Sequence, residues 1–167
     1  MLEAVTLILF PWLMAFAAST DLLTMTISNR ISLALLAGFV VIAALAGLPV
    51  DQLLLNISCG GAMLVLTFCF FSFGWIGGGD AKLAAATAVW LGWTHILEYG
   101  LLASLLGGAL TLAILQMRKM PMPRWAMARE WIARLHNSQN GVPYGIALAV
   151  AGLLLYPQTL VWQAALG

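Results

Sequence analysis

The chain has 167 residues, 63% of them hydrophobic and only 8% charged, with a net charge of +1 and a mean hydropathy of +1.00. A soluble domain of this size cannot cover its surface with so little charge, and so balanced a charge offers no footprint for nucleic acid. The composition predicts an all-α, polytopic protein of the lipid bilayer, folded as one integral membrane domain over residues 1–167.

A span takes roughly 20 apolar residues, so the length admits about six with short loops. Span one is expected over 2–20, with Pro11 inside it, as membrane helices tolerate. Its acidic start at Glu3 is unlike the basic front of a cleavable signal peptide. A polar stretch, Asp21 to Arg30, follows. Span two is expected over 31–48 and span three over 53–73, with a turn at Pro49, Val50 and Asp51. Span three holds both cysteines, Cys59 and Cys69. Ten residues of helix set them about 15 Å apart, so they read as two small buried hydrophobes rather than a disulfide. The run Gly74-Trp75-Ile76-Gly77-Gly78-Gly79-Asp80 leads into a short, Ala-rich span four over 81–93. A turn with His95 and Glu98 precedes span five over 99–117. Residues 118–142 are polar and contain Arg124 to His136, which reads as an amphipathic interfacial helix with Trp125 and Trp131 at headgroup depth. Span six is expected over 143–162.

Six spans put all seven basic residues, Arg30, Lys82, Arg118, Lys119, Arg124, Arg129 and Arg134, on one side. The positive-inside rule makes that side cytoplasmic and leaves both termini outside. Glu3, Asp51 and Glu98 fall on the outer face. Asp21 and Asp80 fall on the cytoplasmic one.

Taken singly, Asp21 reads as a solvated helix boundary and Asp80 as a helix cap behind flexible glycines. Together they are two carboxylates at one membrane face. Two carboxylates in reach of each other share a proton, one serving as general base on water and the other as general acid on a scissile carbonyl. Asp80 at a helix N-terminus and Asp21 at a helix C-terminus meet opposite ends of the helix dipole, which favours Asp80 as the charged member. The glycines before Asp80 leave room for an extended substrate backbone. This chemistry needs no cofactor. Metal chemistry is not expected either, because His95 and His136 fall on opposite faces and there is no CxxC. The string GGGDAK lacks the spacing of a phosphate-binding loop.

Gly77 to Leu83, GGGDAKL, resembles the GxGD motif of membrane aspartic proteases. Asp21 followed by Ile27-Ser28-Asn29 resembles the D-x5-IPN pattern of type IV prepilin peptidases. Val142-Pro143-Tyr144-Gly145-Ile146-Ala147 is similar to the start of that family's final helix. The size resembles the compact branch that serves tight-adherence (Flp-type) pili. The resemblance implies an inner-membrane endopeptidase with Asp21 and Asp80 as its catalytic pair. Gly77 and Gly79 would shape the loop, and Asn29, Lys82 and Tyr144 occupy family positions. Its substrate would be a prepilin or pseudopilin, cut where a short basic cytoplasmic leader meets an apolar helix, in contact with pilus assembly or secretion machinery. Larger members carry a cytoplasmic zinc region with paired CxxC motifs and also N-methylate the product. This sequence shows neither the region nor those cysteines, so methylation stays open. Ser28 stands where the family has Pro, which is expected to loosen the turn before Asn29. Two other classes fit the same acids: a small ion-coupled transporter, or a non-catalytic subunit of a pilus or secretion machine.

Overall fold

The computed structural model describes residues 2–166. Met1 and Gly167, on which the placement of the termini turns, lie outside the described residues, as do the side chains of Leu2, Arg124, Ala165 and Leu166. All regular elements among the described residues are helical: α1 (Leu2–Thr24), α2 (Asn29–Leu45), α3 (Val50–Ser72), α4 (Gly78–Lys119), α5 (Arg124–Met127), α6 (Glu130–His136), α7 (Gly145–Leu155), a 3₁₀ turn (Tyr156–Gln158) and α8 (Leu160–Leu166). Three helical stretches are long and apolar enough to cross a membrane: Glu3–Thr24, Val50–Ser72 and Gly78–Lys119. Asn29–Leu45 and Gly145–Gln158 are apolar but shorter.

Spans four and five are expected as separate helices with a turn near His95. Instead, Thr94 to Glu98 are helical, and one residue, Gly92, interrupts α4 with φ 66° and ψ −178°. Only glycine takes that conformation readily. The two arms fold back on each other there. In the first arm Gly79 packs on Ile27; in the second, Gly107 packs on Tyr144; and Gly145, next to Tyr144, touches Ile27 in turn. Both ends of α4 therefore lie at one end of the molecule, with Gly92 at the other. Asn56 of α3 braces the break. Its side-chain amide donates to the Val89 carbonyl (2.9 Å) and accepts from Gln52 (3.0 Å). Buried polar groups that bond each other and a freed backbone carbonyl offset the loss of helical hydrogen bonds.

Close contact between α3 and the first arm of α4 comes from small residues. A Cβ on Gly60 would stand 2.2 Å from Val89 Cγ2 and 3.0 Å from the Ala85 carbonyl. In lipid such backbone approach, rather than hydrophobic burial, holds helices together. Gly60→Val is therefore expected to force the pair apart, destabilising the protein by roughly 1–3 kcal/mol, measurable as a lower denaturant midpoint in mixed micelles.

The core beside this seam is aromatic. Trp90 is fully buried, lies 5.0 Å from the Phe10 ring and 5.7 Å from Phe39, and donates its indole N–H to the Leu35 carbonyl (3.0 Å). Phe10 stacks on Tyr156 at 4.4 Å, and the Tyr156 hydroxyl donates to the Thr6 carbonyl (2.7 Å). Both polar tips are thus satisfied inside an apolar environment.

Four local expectations change. Helix α1 continues to Thr24, so Asp21 lies inside it and not in a polar loop. The 143–162 stretch is interrupted, since the 3₁₀ turn Tyr156–Gln158, with Pro157, separates α7 from α8. The amphipathic segment is two short helices, broken where Arg129 takes extended geometry (φ −90°, ψ 116°). Of the two cysteines only Cys59 is buried; Cys69 is exposed.

Candidate active site

Helix α1 ends in a tight turn. Met25 takes φ 55°, a left-handed conformation that costs a non-glycine residue about 1–2 kcal/mol, and its N–H bonds the Asp21 carbonyl (2.8 Å). The turn sends the chain back so that Ile27 drops between three elements. Ser28 then caps α2, its hydroxyl accepting from Arg30 N–H (3.3 Å). Its φ of −68° is the value a proline ring would impose. Ser28 thus holds the turn by capping where the sequence leads one to expect it looser.

Asp21 is only 5% exposed. Its Oδ2 accepts a hydrogen bond from the Gly145 N–H at 2.7 Å. Gly145 opens α7, so the positive end of that helix points at the carboxylate. The sequence placed Asp21 only at the negative end of its own helix. With α7 counted, both aspartates face a helix N-terminus, and the dipole no longer separates their roles.

Asp80 is the third residue of α4, behind Gly77 as N-cap. It is not itself the cap. Its carboxylate reaches back to the Gly77 backbone amide, half of a capping box. Its Oδ1 is buried and has no hydrogen-bond partner among the described residues. Ile27 lies between the two: it meets Gly79, next to Asp80, and Gly145, whose N–H bonds Asp21. On the preceding side, α3 ends in a Schellman motif around Gly74 (φ 73°). Trp75 N–H bonds the Phe70 carbonyl (3.0 Å) and Gly74 N–H that of Phe71 (2.9 Å). Thr67 of α3 donates to the Ala81 carbonyl (3.2 Å). Together these fix the glycine turn and the first residues of α4.

The glycines serve the protein's own packing. A Cβ on Gly79 would meet Ile27 Cβ at 3.1 Å and its carbonyl at 3.3 Å; one on Gly78 would meet the Phe71 ring at 3.3 Å; one on Gly77 would meet Asp80 Oδ2 at 3.0 Å. The room expected there for a substrate strand is taken by Ile27, Phe71 and Asp80. Asn29 and Lys82 come together, the ammonium donating to the amide oxygen at 2.9 Å, so Lys82 has an amide rather than a carboxylate as partner. Tyr144 lies over Gly107, its ring 2.3 Å from where a Cβ would stand, and fastens α7 to the second arm of α4.

Gly145 stands in a segment that the sequence singles out, but the sequence gives it no role. Its signal was a glycine at the start of an apolar helix, beside Tyr144. A Cβ there would stand 2.7 Å from Ile27 Cδ1 and 2.8 Å from Asp21 Oδ2. Gly145→Ala is expected to push Asp21 aside and lower the turnover of any reaction at this pair by roughly 10–100-fold, with membrane levels near wild type by immunoblot.

Arg134 donates to the Leu23 carbonyl (2.8 Å). Arg118 donates to the carbonyls of Leu135 (2.7 Å), Asn140 and Gly141 (both 2.9 Å). The basic 118–141 segment is thereby anchored at the aspartate end.

Three comparisons bear on this arrangement. Two prepilin leader peptidase/N-methyltransferases are similar, one from Aeromonas salmonicida (strain A449), 26% identical over 162 residues, and one from Aeromonas hydrophila, 27% identical over 164. Each alignment covers 93% of this chain and 48% of the relative, so the chain spans about half the length of the curated relatives it matches. No solved structure matches. The model of the type IV leader peptidase family matches residues 8–112, a stretch that includes both aspartates and the glycine turn, and the chain belongs to that family.

Proposed function

We propose that this chain is a membrane-embedded aspartic endopeptidase that removes the leader of a Flp-type prepilin or pseudopilin at the cytoplasmic face of the inner membrane. One observation carries the reading: Asp21 and Asp80, on separate helices, flank the same side chain, Ile27, which meets Gly79, next to Asp80, and Gly145, whose N–H holds Asp21. In the proposed reaction one carboxylate takes a proton from water as the water oxygen bonds the scissile carbonyl carbon. The other, protonated, gives its proton to the carbonyl oxygen. Collapse of the tetrahedral species breaks the C–N bond; the leaving nitrogen takes a proton from the first carboxyl group, and one hydroxyl of the gem-diol returns its proton to the second carboxylate as the carbonyl re-forms. Asp80 Oδ1, without a hydrogen-bond partner among the described residues, is suited to the water or carbonyl contact. Glycines 77 and 79 shape the turn that aims Asp80.

The topology that goes with this has six spans, with the two arms of α4 counted separately, both termini outside and the aspartates on the cytoplasmic side. It is supported by the fold-back at Gly92 and by the anchoring of Arg118 and Arg134 at the aspartate end.

The test is to reconstitute the purified chain in liposomes with a Flp-type prepilin and weigh both products. The expected result is one cut between the basic leader and the apolar helix, leaving a free amino terminus. S-adenosylmethionine in a parallel reaction reads methylation directly. An intact prepilin beside folded protein would move the assignment to a transporter or an assembly subunit.

A further inference from the structure

The first arm of α4 does not close fully against α2 and α3. An apolar groove of about 450 Å³ opens between them toward the lipid. Gly61, Ala85 and Ala86 form its floor, and Leu33, Leu36 and Leu64 its walls. Nothing stands within 4 Å of where a Gly61 Cβ would be. Lys82 to Val89, both lining residues, span about 10 Å of helix, the length of two helical turns.

Three features point to the occupant. Asn29 and Lys82 close the groove at the aspartate end, and Lys82 is two residues from Asp80 on the same helix. Two residues of helix put Asp80 at nearly the same depth but on the other side of α4, so whatever lies in the groove ends at the level of the candidate catalytic pair, and the extended segment beyond it passes around the N-terminus of α4 to reach them. The small floor lets another helix bring its backbone close, as membrane helices do when they associate. Ser32, on the groove wall, is 6% exposed, and its hydroxyl has no hydrogen-bond partner among the described residues. A peptide can satisfy that hydroxyl and an acyl chain cannot. The geometry points to this groove as the seat of the substrate's apolar segment, which enters sideways from the bilayer as a helix and presents its leader junction to Asp21 and Asp80. This rests on the peptidase reading and adds where the substrate is held.

The test uses the full chain carrying Asp80→Asn and a Flp-type prepilin with a benzophenone amino acid in the first two turns of its apolar helix. Adducts on α2 and α3 at the groove are expected, reduced at least tenfold by Gly61→Trp. Leu105→Trp, exposed on the second arm of α4 and away from the groove, should leave them unchanged. In the active chain, with Asp80 intact, Gly61→Trp should raise KM for the whole prepilin about tenfold with little change in kcat. A short soluble peptide that covers the leader junction without the apolar helix should be cut equally by wild type and Gly61→Trp. Adducts on α5 to α7, adducts indifferent to Gly61→Trp, or labelling of lipid alone would each overturn the groove. If wild type cuts both substrates while adducts fall elsewhere, only the groove fails. If it cuts neither, the peptidase reading fails and the groove with it.

Discussion

Replacing Gly92 by alanine is expected to destabilise the protein by roughly 2–4 kcal/mol, the largest stability loss of any single methyl added here. Two costs combine. The backbone at Gly92 (φ 66°, ψ −178°) lies where an L-residue meets its own peptide groups. The added Cβ would also stand 3.0 Å from Asn56 Oδ1, and Asn56 cannot yield without giving up Val89 or Gln52. The relaxed alternative is continuous helix. Forty-two residues of α4 would then run about 63 Å, more than any bilayer, and would carry Tyr144 and Gly145 away from Asp21. The variant should therefore lose both unfolding resistance in mixed micelles and activity. Gly108→Ala, in open space on the same helix, should lose neither. Equal stability of Gly92→Ala and wild type would mean that the reversal at Gly92 is wrong.

The sequence made much of this legible. Charge rarer than one residue in ten exposes each charged residue to scrutiny, and the basic residues and both aspartates sort to one end. The apolar runs located α1, α2 and α3 to within a few residues. The misses have common causes. Hydropathy sees apolar length but not backbone dihedrals, so a single glycine reversal inside an Ala-rich run could not be told from a polar turn near His95. Helix propensity does not stop at a charge, so α1 runs past Asp21. The Arg124–His136 periodicity was blind to the break at Arg129. At the site, the motif residues were visible because they are unusual. The roles of Gly145 and Ile27 were not, because their work is done through a backbone N–H and a contact surface that only the packing of α1, α4 and α7 creates.

Asparagine at either aspartate is expected to abolish peptide cleavage, by roughly 10³-fold or more. The substitution keeps size and hydrogen-bonding shape, so Gly145 N–H retains an oxygen acceptor at position 21 and the α4 start retains its reach to Gly77. What is lost is the shared proton. An amide can neither accept one from water nor return one to the leaving nitrogen, and the remaining carboxylate has no partner with which to divide the two roles. In the proposed mechanism the two act as one unit, so the double variant should be no worse than either single one. The decisive measurement is leader removal from a co-expressed Flp-type prepilin by wild type, Asp21→Asn and Asp80→Asn, followed by gel mobility and mass, with membrane levels matched. The account predicts a processed pilin with wild type alone; processing by either variant within tenfold of the wild-type rate would contradict it.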